Sequence, residues 1–204
     1  MSVNARLQRR KPVQARAELR VEAILDAGAD LLVEVGYERL TLTDVAARSG
    51  SSIGSLYRFF SNKEQLVDAI ADQIAQRYRA LPTSVLNASA STLPLDAFVS
   101  SLVEALASVA IECPALAEVM DRIVARTPSL DAEIAQRLDA ILVARDAPLA
   151  PAERKLVVRV TIACVRTGMR LIGRATRATR QSVIAEVKAV LTSYLRSRTE
   201  ASCP

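Results

Sequence analysis

The stretch Thr41–Leu66, TLTDVAARSGSSIGSLYRFFSNKEQL, constrains the fold more than any other part of the chain, because it compresses two short helices, a tight turn and the start of a third helix into one unit. Thr41 and Asp44 have capping-box spacing, so a helix starts here. Val45 and Ala46 give it an apolar side, and Ser49-Gly50 stops it, since glycine takes the left-handed angles of a tight turn. Ser51 or Ser52 then caps a second helix over Ile53 to Phe60. Leu56 and Phe60 share the face to be buried, which leaves Ile53, Ser55, Tyr57 and Arg58 on other faces. Ser61 with Glu64 repeats the capping-box spacing and predicts a longer helix from about Asn62. Lys63 falls in its first turn, where the helix macrodipole disfavours a cation. A phosphate shared by the lysine and the free N–H groups would account for it, and DNA is the phosphate source that suits a helix-turn-helix.

The segment Gly36–Leu66, GYERLTLTDVAARSGSSIGSLYRFFSNKEQL, resembles the DNA-binding segment of the TetR family of transcriptional regulators (TetR/AcrR type). The shared pattern is an aromatic after a helix-ending glycine, a Thr or Ser cap, Asp then aliphatic-Ala, Ala/Ser-Gly, Ser-x-Gly-x-Leu-Tyr-x-x-Phe and Lys-Glu-x-Leu. Two positions depart from it: Ser51 stands where an aliphatic is usual, and Phe59 where His or Tyr is common, which removes a polar phosphate contact. Beyond Leu66 the resemblance is one of architecture.

Half the residues are hydrophobic, enough for ample core. Frequent Ala, Leu, Arg and Glu at helical spacing, with few Gly, argue for an all-α chain of about nine helices. The 27 basic residues against 22 acidic give +5, which is compatible with a polyanion partner without demonstrating one. Histidine is absent, and Cys113, Cys164 and Cys203 are scattered, so neither a zinc site nor a disulfide framework is expected, and the expected compartment is a reducing cytoplasm. No signal peptide, spanning segment, nucleophile-base pairing, metal-ligand spacing or Gly-rich phosphate loop is read. The expectation is therefore a soluble protein that is not an enzyme, with no catalytic residues, no metal and no cofactor.

In chain order, residues 1–12 read as a basic flexible arm carrying Arg6, Arg9, Arg10 and Lys11, either solvated or adding phosphate and minor-groove contacts. Residues 13–66 form the helix-turn-helix domain, with the motif itself at about 41–60. Its first helix, from about Val13 to Val35, supplies the apolar wall for Val45, Leu56 and Phe60, and Gly36 ends it. Leu66, Ile70, Ile74 and Tyr78 form one stripe on a helix from Asn62 to about Ala80. Leu81–Leu95 reads as a connector. Five helices follow, Pro94–Ile111, Pro114–Ala125, Pro128–Arg145, Pro151–Gly173 and Thr179–Arg198, four of them announced by a proline near the start. They make residues 67–204 an effector-binding and dimerisation domain.

The resemblance implies site residues. Tyr57 and Lys63 correspond to phosphate contacts, and Thr43 is placed to donate similarly. Ser52 and Ser55 can reach phosphate or a base edge, Gly54 permits close approach, Ile53 can meet a thymine methyl, and Arg58 either phosphate or base. Ser52 also reads as a helix cap and Tyr57 as a packing residue. The effector pocket of such proteins lies among the middle helices, where Phe98, Leu102, Met120, Ile123, Leu138, Ile141 and Met169 are candidate linings, each also readable as core. Arg166, Arg170, Arg174 and Arg177 share roughly one helix face and either pair with acids of a neighbouring element or turn inward, Arg166 and Arg170 first, to bind an anionic ligand. With few aromatics left outside the reading head, an aliphatic or acidic effector suits the chain better than a flat cation. The last two helices imply a homodimer through a four-helix bundle, two heads facing successive half-sites of a double-stranded DNA operator. The implied function is a ligand-released repressor; the alternative is a helical interaction module whose reading head no longer binds DNA.

Overall fold

The computed structural model describes residues 3–79, 85–145 and 147–199; among them are nine α-helices, one 3-10 turn and no strand. Cys203 and the connector residues 81–84 lie outside the described residues, as do the side chains of Arg6, Arg9, Arg10, Lys11 and Tyr78. The helices are α1 (Val3–Arg39), α2 (Leu42–Ser49), α3 (Ile53–Phe59), α4 (Lys63–Tyr78), α5 (Leu95–Glu112), α6 (Leu116–Arg126), α7 (Pro128–Ala144), α8 (Pro151–Arg174) and α9 (Arg180–Thr199). The chain forms two compact units, Met1–Asp72 and Gln73–Pro204, so the division falls inside α4. No single helix among the described residues is long and apolar enough to cross a membrane.

In the first unit, α1 begins at Val3, earlier than the arm expected over residues 1–12 allows. The run Asn4–Arg10 consists largely of good helix formers, and Pro12 removes one N–H donor from the ladder. Gly36 interrupts α1 with φ 76° and ψ 166°, backbone open to glycine and strained for other residues. Ile24, Leu25, Leu31 and Leu32 are buried along α1, as are Val45, Leu56 and Phe60. Leu66 and Ile70 of α4 close on Gly28, where an added Cβ would lie 3.0 Å from the Ile70 Cδ1.

The caps of this unit follow the sequence with two adjustments. The Thr41 Oγ1 accepts from the Asp44 N–H at 3.1 Å, and its hydroxyl donates to the Asp44 carboxylate at 2.6 Å. Gly50 is left-handed (φ 66°), and the Ser51 N–H closes on the Ala46 carbonyl at 3.0 Å. At α4 the cap is Asn62, not Ser61: its Oδ1 accepts from the Gln65 N–H at 2.8 Å, while the Gln65 Oε1 accepts from the Ser61 N–H at 3.0 Å. Glu64, expected to reach back to that cap, accepts instead from the Tyr37 hydroxyl at 2.7 Å.

In the second unit, α8 packs against α5, α6, α7 and α9. Val99, Val103, Val157, Ile172 and Leu191 form the centre of the core. Thr161 is buried without an orphaned hydroxyl, because it donates to the Val157 carbonyl at 2.8 Å. Gly168 lets α8 and α9 approach so closely that a Cβ there would meet the Val187 Cγ1 at 2.8 Å. Prolines at N1 start α7 and α8, as their missing N–H predicts. The late connector is held down by Arg145, which donates to the Ala90 and Leu93 carbonyls, both at 2.7 Å, and stacks over Phe98.

Candidate functional site

Helix α3 is short, and its orientation follows from which residues it buries. Leu56 is fully buried and Phe60 nearly so, while Ile53 and Tyr57 are 41% and 54% exposed. Ser52 caps the helix by accepting from the Ser55 N–H at 3.2 Å and stays exposed. Among the described residues, nothing lies within 4 Å of where a Cβ would stand at Gly54. Arg58 is exposed and stacks over Phe59 at 5.4 Å, so its guanidinium is held beside the outward face. Thr43, in the first turn of α2, is also exposed. Ser52, Ile53, Gly54, Tyr57 and Arg58 therefore form an outward surface of small, apolar and basic groups on a rigid base, free of acidic side chains.

Two of the residues assigned to DNA behave differently. The Ser55 Oγ is buried and has no hydrogen-bond partner among the described residues. The Lys63 Nζ donates to the Tyr37 carbonyl at 2.9 Å and the Glu38 carbonyl at 3.2 Å, and lies 4.4 Å from the centre of the Tyr37 ring. Within the chain, this cation therefore meets the carbonyl-rich end of α1, where positive charge is favoured. Sequence reasoning also missed Arg48, whose guanidinium grips the Glu34 carboxylate at 2.6 and 2.8 Å and ties α2 to α1. That hydrogen-bonded pair holds the Glu34 carboxyl below its ordinary range.

The second unit contains a partly open cavity of about 140 Å³, lined mainly by α5, α6, α7 and α8 and also by Ala75, Val85 and Leu86. Of the expected lining residues, Leu102, Met120, Ile123, Leu138, Arg166 and Met169 face it. Phe98 and Ile141 do not, although they are buried in the same core cluster, and neither does Arg170, which pairs with Asp121 at 2.7 Å. Leu130, Ile134, Ile162 and Val165 also line it, and their helical spacing with Leu138, Arg166 and Met169 was the available signal.

The arginine face of α8 is consumed by acids on α6 and α7. Arg166 pairs with Asp131, Arg170 with Asp121, and Arg174 with Glu118 at 2.9 Å. Arg177 lies past the end of α8 and is not on that face. A second, shallower groove of about 540 Å³ runs along α8 and α9, lined by Cys164, Gly168, Leu171, Val183, Val187 and Val190 among others. Leu171 and Val190 are each 55% exposed there, so only part of the expected stripe is committed to the core.

Residues 24–70 match the family described as bacterial regulatory proteins, tetR family, and residues 94–195 match the tetracyclin repressor-like C-terminal domain. An HTH-type transcriptional repressor of Mycobacterium tuberculosis is 31% identical over 144 residues, covering 68% of this chain and 74% of that one. The crystal structure of a TetR-family transcriptional regulator from Streptomyces coelicolor superposes with a TM-score of 0.58 at 27% identity, covering 88% of this chain and 99% of the other. The TetR-like regulator LfrR from Mycobacterium smegmatis, solved in complex with proflavine, has the same fold with a TM-score of 0.59 at 20% identity, covering 87% of this chain and 97% of its own. With its reading head in residues 24–70 and its C-terminal domain in residues 94–195, the chain belongs to the TetR family of transcriptional regulators.

Proposed function

We propose that this chain is a cytoplasmic repressor that binds a palindromic DNA operator as a homodimer and is released by a small-molecule effector. The observation that carries the reading is the exposed face of α3, with Ile53, Tyr57 and Arg58 held outward by the burial of Leu56 and Phe60. Ser52 and Thr43 flank it as hydroxyl donors to phosphate, Gly54 admits the DNA backbone, and Ile53 supplies an apolar contact for a thymine methyl. The repressor named among the relatives supports the sign of regulation. The complex of LfrR with proflavine supports a small-molecule ligand, and the cavity of the second unit, lined by Leu102, Met120, Leu138 and Met169 among others, is the candidate site for it.

Dimerisation is assigned to α8 and α9, whose shared groove leaves Leu171 and Val190 uncovered. A twofold pairing there would set two heads at the spacing of successive half-sites. Helix α4 carries the coupling: Leu66 and Ile70 belong to the core of the head, and Ala75 lines the cavity. A ligand that binds more tightly to a conformation with the heads out of register shifts the population by that difference in affinity and no more.

Titration of genomic fragments at several salt concentrations, with a Tyr57→Ala/Arg58→Ala variant alongside, tests the proposal. Saturable binding to a palindromic fragment, weakened by salt and lost in the variant, is the expected result. Equal, weak binding of all fragments by both proteins would mean that the head no longer reads DNA.

A further inference from the structure

We propose that the cavity of the second unit selects a small, neutral, apolar ligand with one polar end, and that the Arg166–Asp131 ion pair makes it reject carboxylates. The inference rests on the reading of this cavity as the effector site and narrows the ligand class it takes.

Size is the first constraint. The cavity measures about 140 Å³, close to the roughly 150 Å³ apolar cavity known to stay dry and accept benzene. A body of about six to eight non-hydrogen atoms fits that space. Wall chemistry is the second constraint. Among the described residues of the lining, leucine, isoleucine, valine and methionine side chains dominate, none carries an aromatic ring, and the polar ones are Thr127, Asp131 and Arg166. None of these described residues offers a cation a ring face to stack on.

Charge is the third constraint. Arg166 would attract an acid if it stood alone, but it is paired directly with Asp131, and both side chains are only about a third exposed. A carboxylate entering beside Arg166 also enters beside Asp131, so repulsion offsets attraction while the anion still loses its water. An amine meets the mirror problem at Arg166. A hydroxyl or amide escapes both, because it can hydrogen-bond to either member of the pair without bringing net charge into the aliphatic walls. Thr127 adds an acceptor: its hydroxyl donates to the Ile123 carbonyl at 2.7 Å, which leaves the oxygen lone pairs to receive a donor.

The test uses the full chain with hexan-1-ol, hexanoate and hexylamine as probes, reading the thermal unfolding midpoint and, in parallel, operator-fragment affinity. Hexan-1-ol should raise the midpoint, with hexanoate and hexylamine requiring at least about tenfold more ligand for the same shift. In Asp131→Asn, Arg166 loses its counter-charge, and hexanoate should gain at least about tenfold while hexan-1-ol changes little. Leu106→Phe, which fills the cavity from its wall, should abolish the response to hexan-1-ol while the chain remains folded. Equal response of the wild type to alcohol and carboxylate, no reversal in folded Asp131→Asn, or no response to any probe would each overturn the inference. If hexan-1-ol binds and Leu106→Phe abolishes that binding, but DNA affinity never changes, the ligand class stands and the effector reading fails.

Discussion

Replacing Lys63 by methionine separates two roles that the same side chain could play. Methionine keeps the length of the stem over the Tyr37 ring and removes the ammonium, so what is lost is its bond to the Tyr37 carbonyl at 2.9 Å and to the Glu38 carbonyl at 3.2 Å, together with its charge 4.4 Å from the ring centre. Hydrogen bonds from a charged donor are worth about 1.5–3 kcal/mol each when well shielded. Lys63 is half-buried, so the pair together contributes roughly 1–2 kcal/mol to the head after screening. Native-state hydrogen exchange reads that loss directly: amides of the last turn of α1 and the first turn of α4 should exchange about 5–30 times faster in the variant. Operator affinity should fall because the head is less well held, but the slope of log affinity against log salt should stay as in the wild type. A lysine neutralising one phosphate per protomer would instead lower that slope by about 1.8 for a dimer. A slope reduced by that amount with unchanged exchange would refute the positioning role and return Lys63 to the DNA contacts.

Gly168→Ala should destabilise the second unit by about 1 kcal/mol, since crowding against Val187 at 2.8 Å outweighs the helix-propensity gain of roughly 0.5–1 kcal/mol. Adding Val187→Ala should recover part of the loss, so additivity in a urea double-mutant cycle would sink the clash argument. Thr41→Ala should cost about 0.5–2 kcal/mol by removing the cap of α2, and Thr41→Ser should restore it in the same exchange experiment. Acid should weaken both units through depressed carboxyls: the Arg48 hydrogen bond lowers Glu34, and the Lys188 hydrogen bond, followed by that from Ser100, lowers Glu104. A carboxyl whose folded value lies below its ordinary 4.5 contributes stability above that pH and loses it as pH falls through the folded value. Arg48→Met and Lys188→Met should therefore converge on the wild type in unfolding midpoint below the depressed values, and a gap that persists there would contradict the assignment.

What could be read from the sequence was what short-range geometry decides. The cap at Thr41, left-handed Gly50 and the N1 prolines of α7 and α8 involve partners within a turn, so spacing determines them, while at α3 spacing narrowed the cap to Ser51 or Ser52 and the fold uses Ser52. The same logic failed by one residue at α4, where Ser61 and Asn62 are both good caps; the choice fell to Asn62 because Gln65, at the third helical position, serves the cap, while Glu64 is drawn off by Tyr37, 27 residues away. Partners at such distances along the chain are where a sequence goes silent. Four arginines at helical spacing announce a charged face, but whether that face meets a ligand, water or protein acids depends on elements brought beside it only by folding. Asp121 is 49 residues from Arg170, and Glu118 is 56 from Arg174. The cavity is less visible still, since it exists where side chains of five helices fail to meet. Leu102, Leu138, Phe98 and Ile141 are all buried in one core cluster and lie within a turn of one another in pairs, yet only Leu102 and Leu138 face the cavity. Hydrophobicity selects residues for burial, and the relative rotation of packed helices decides which of the buried residues surround a void.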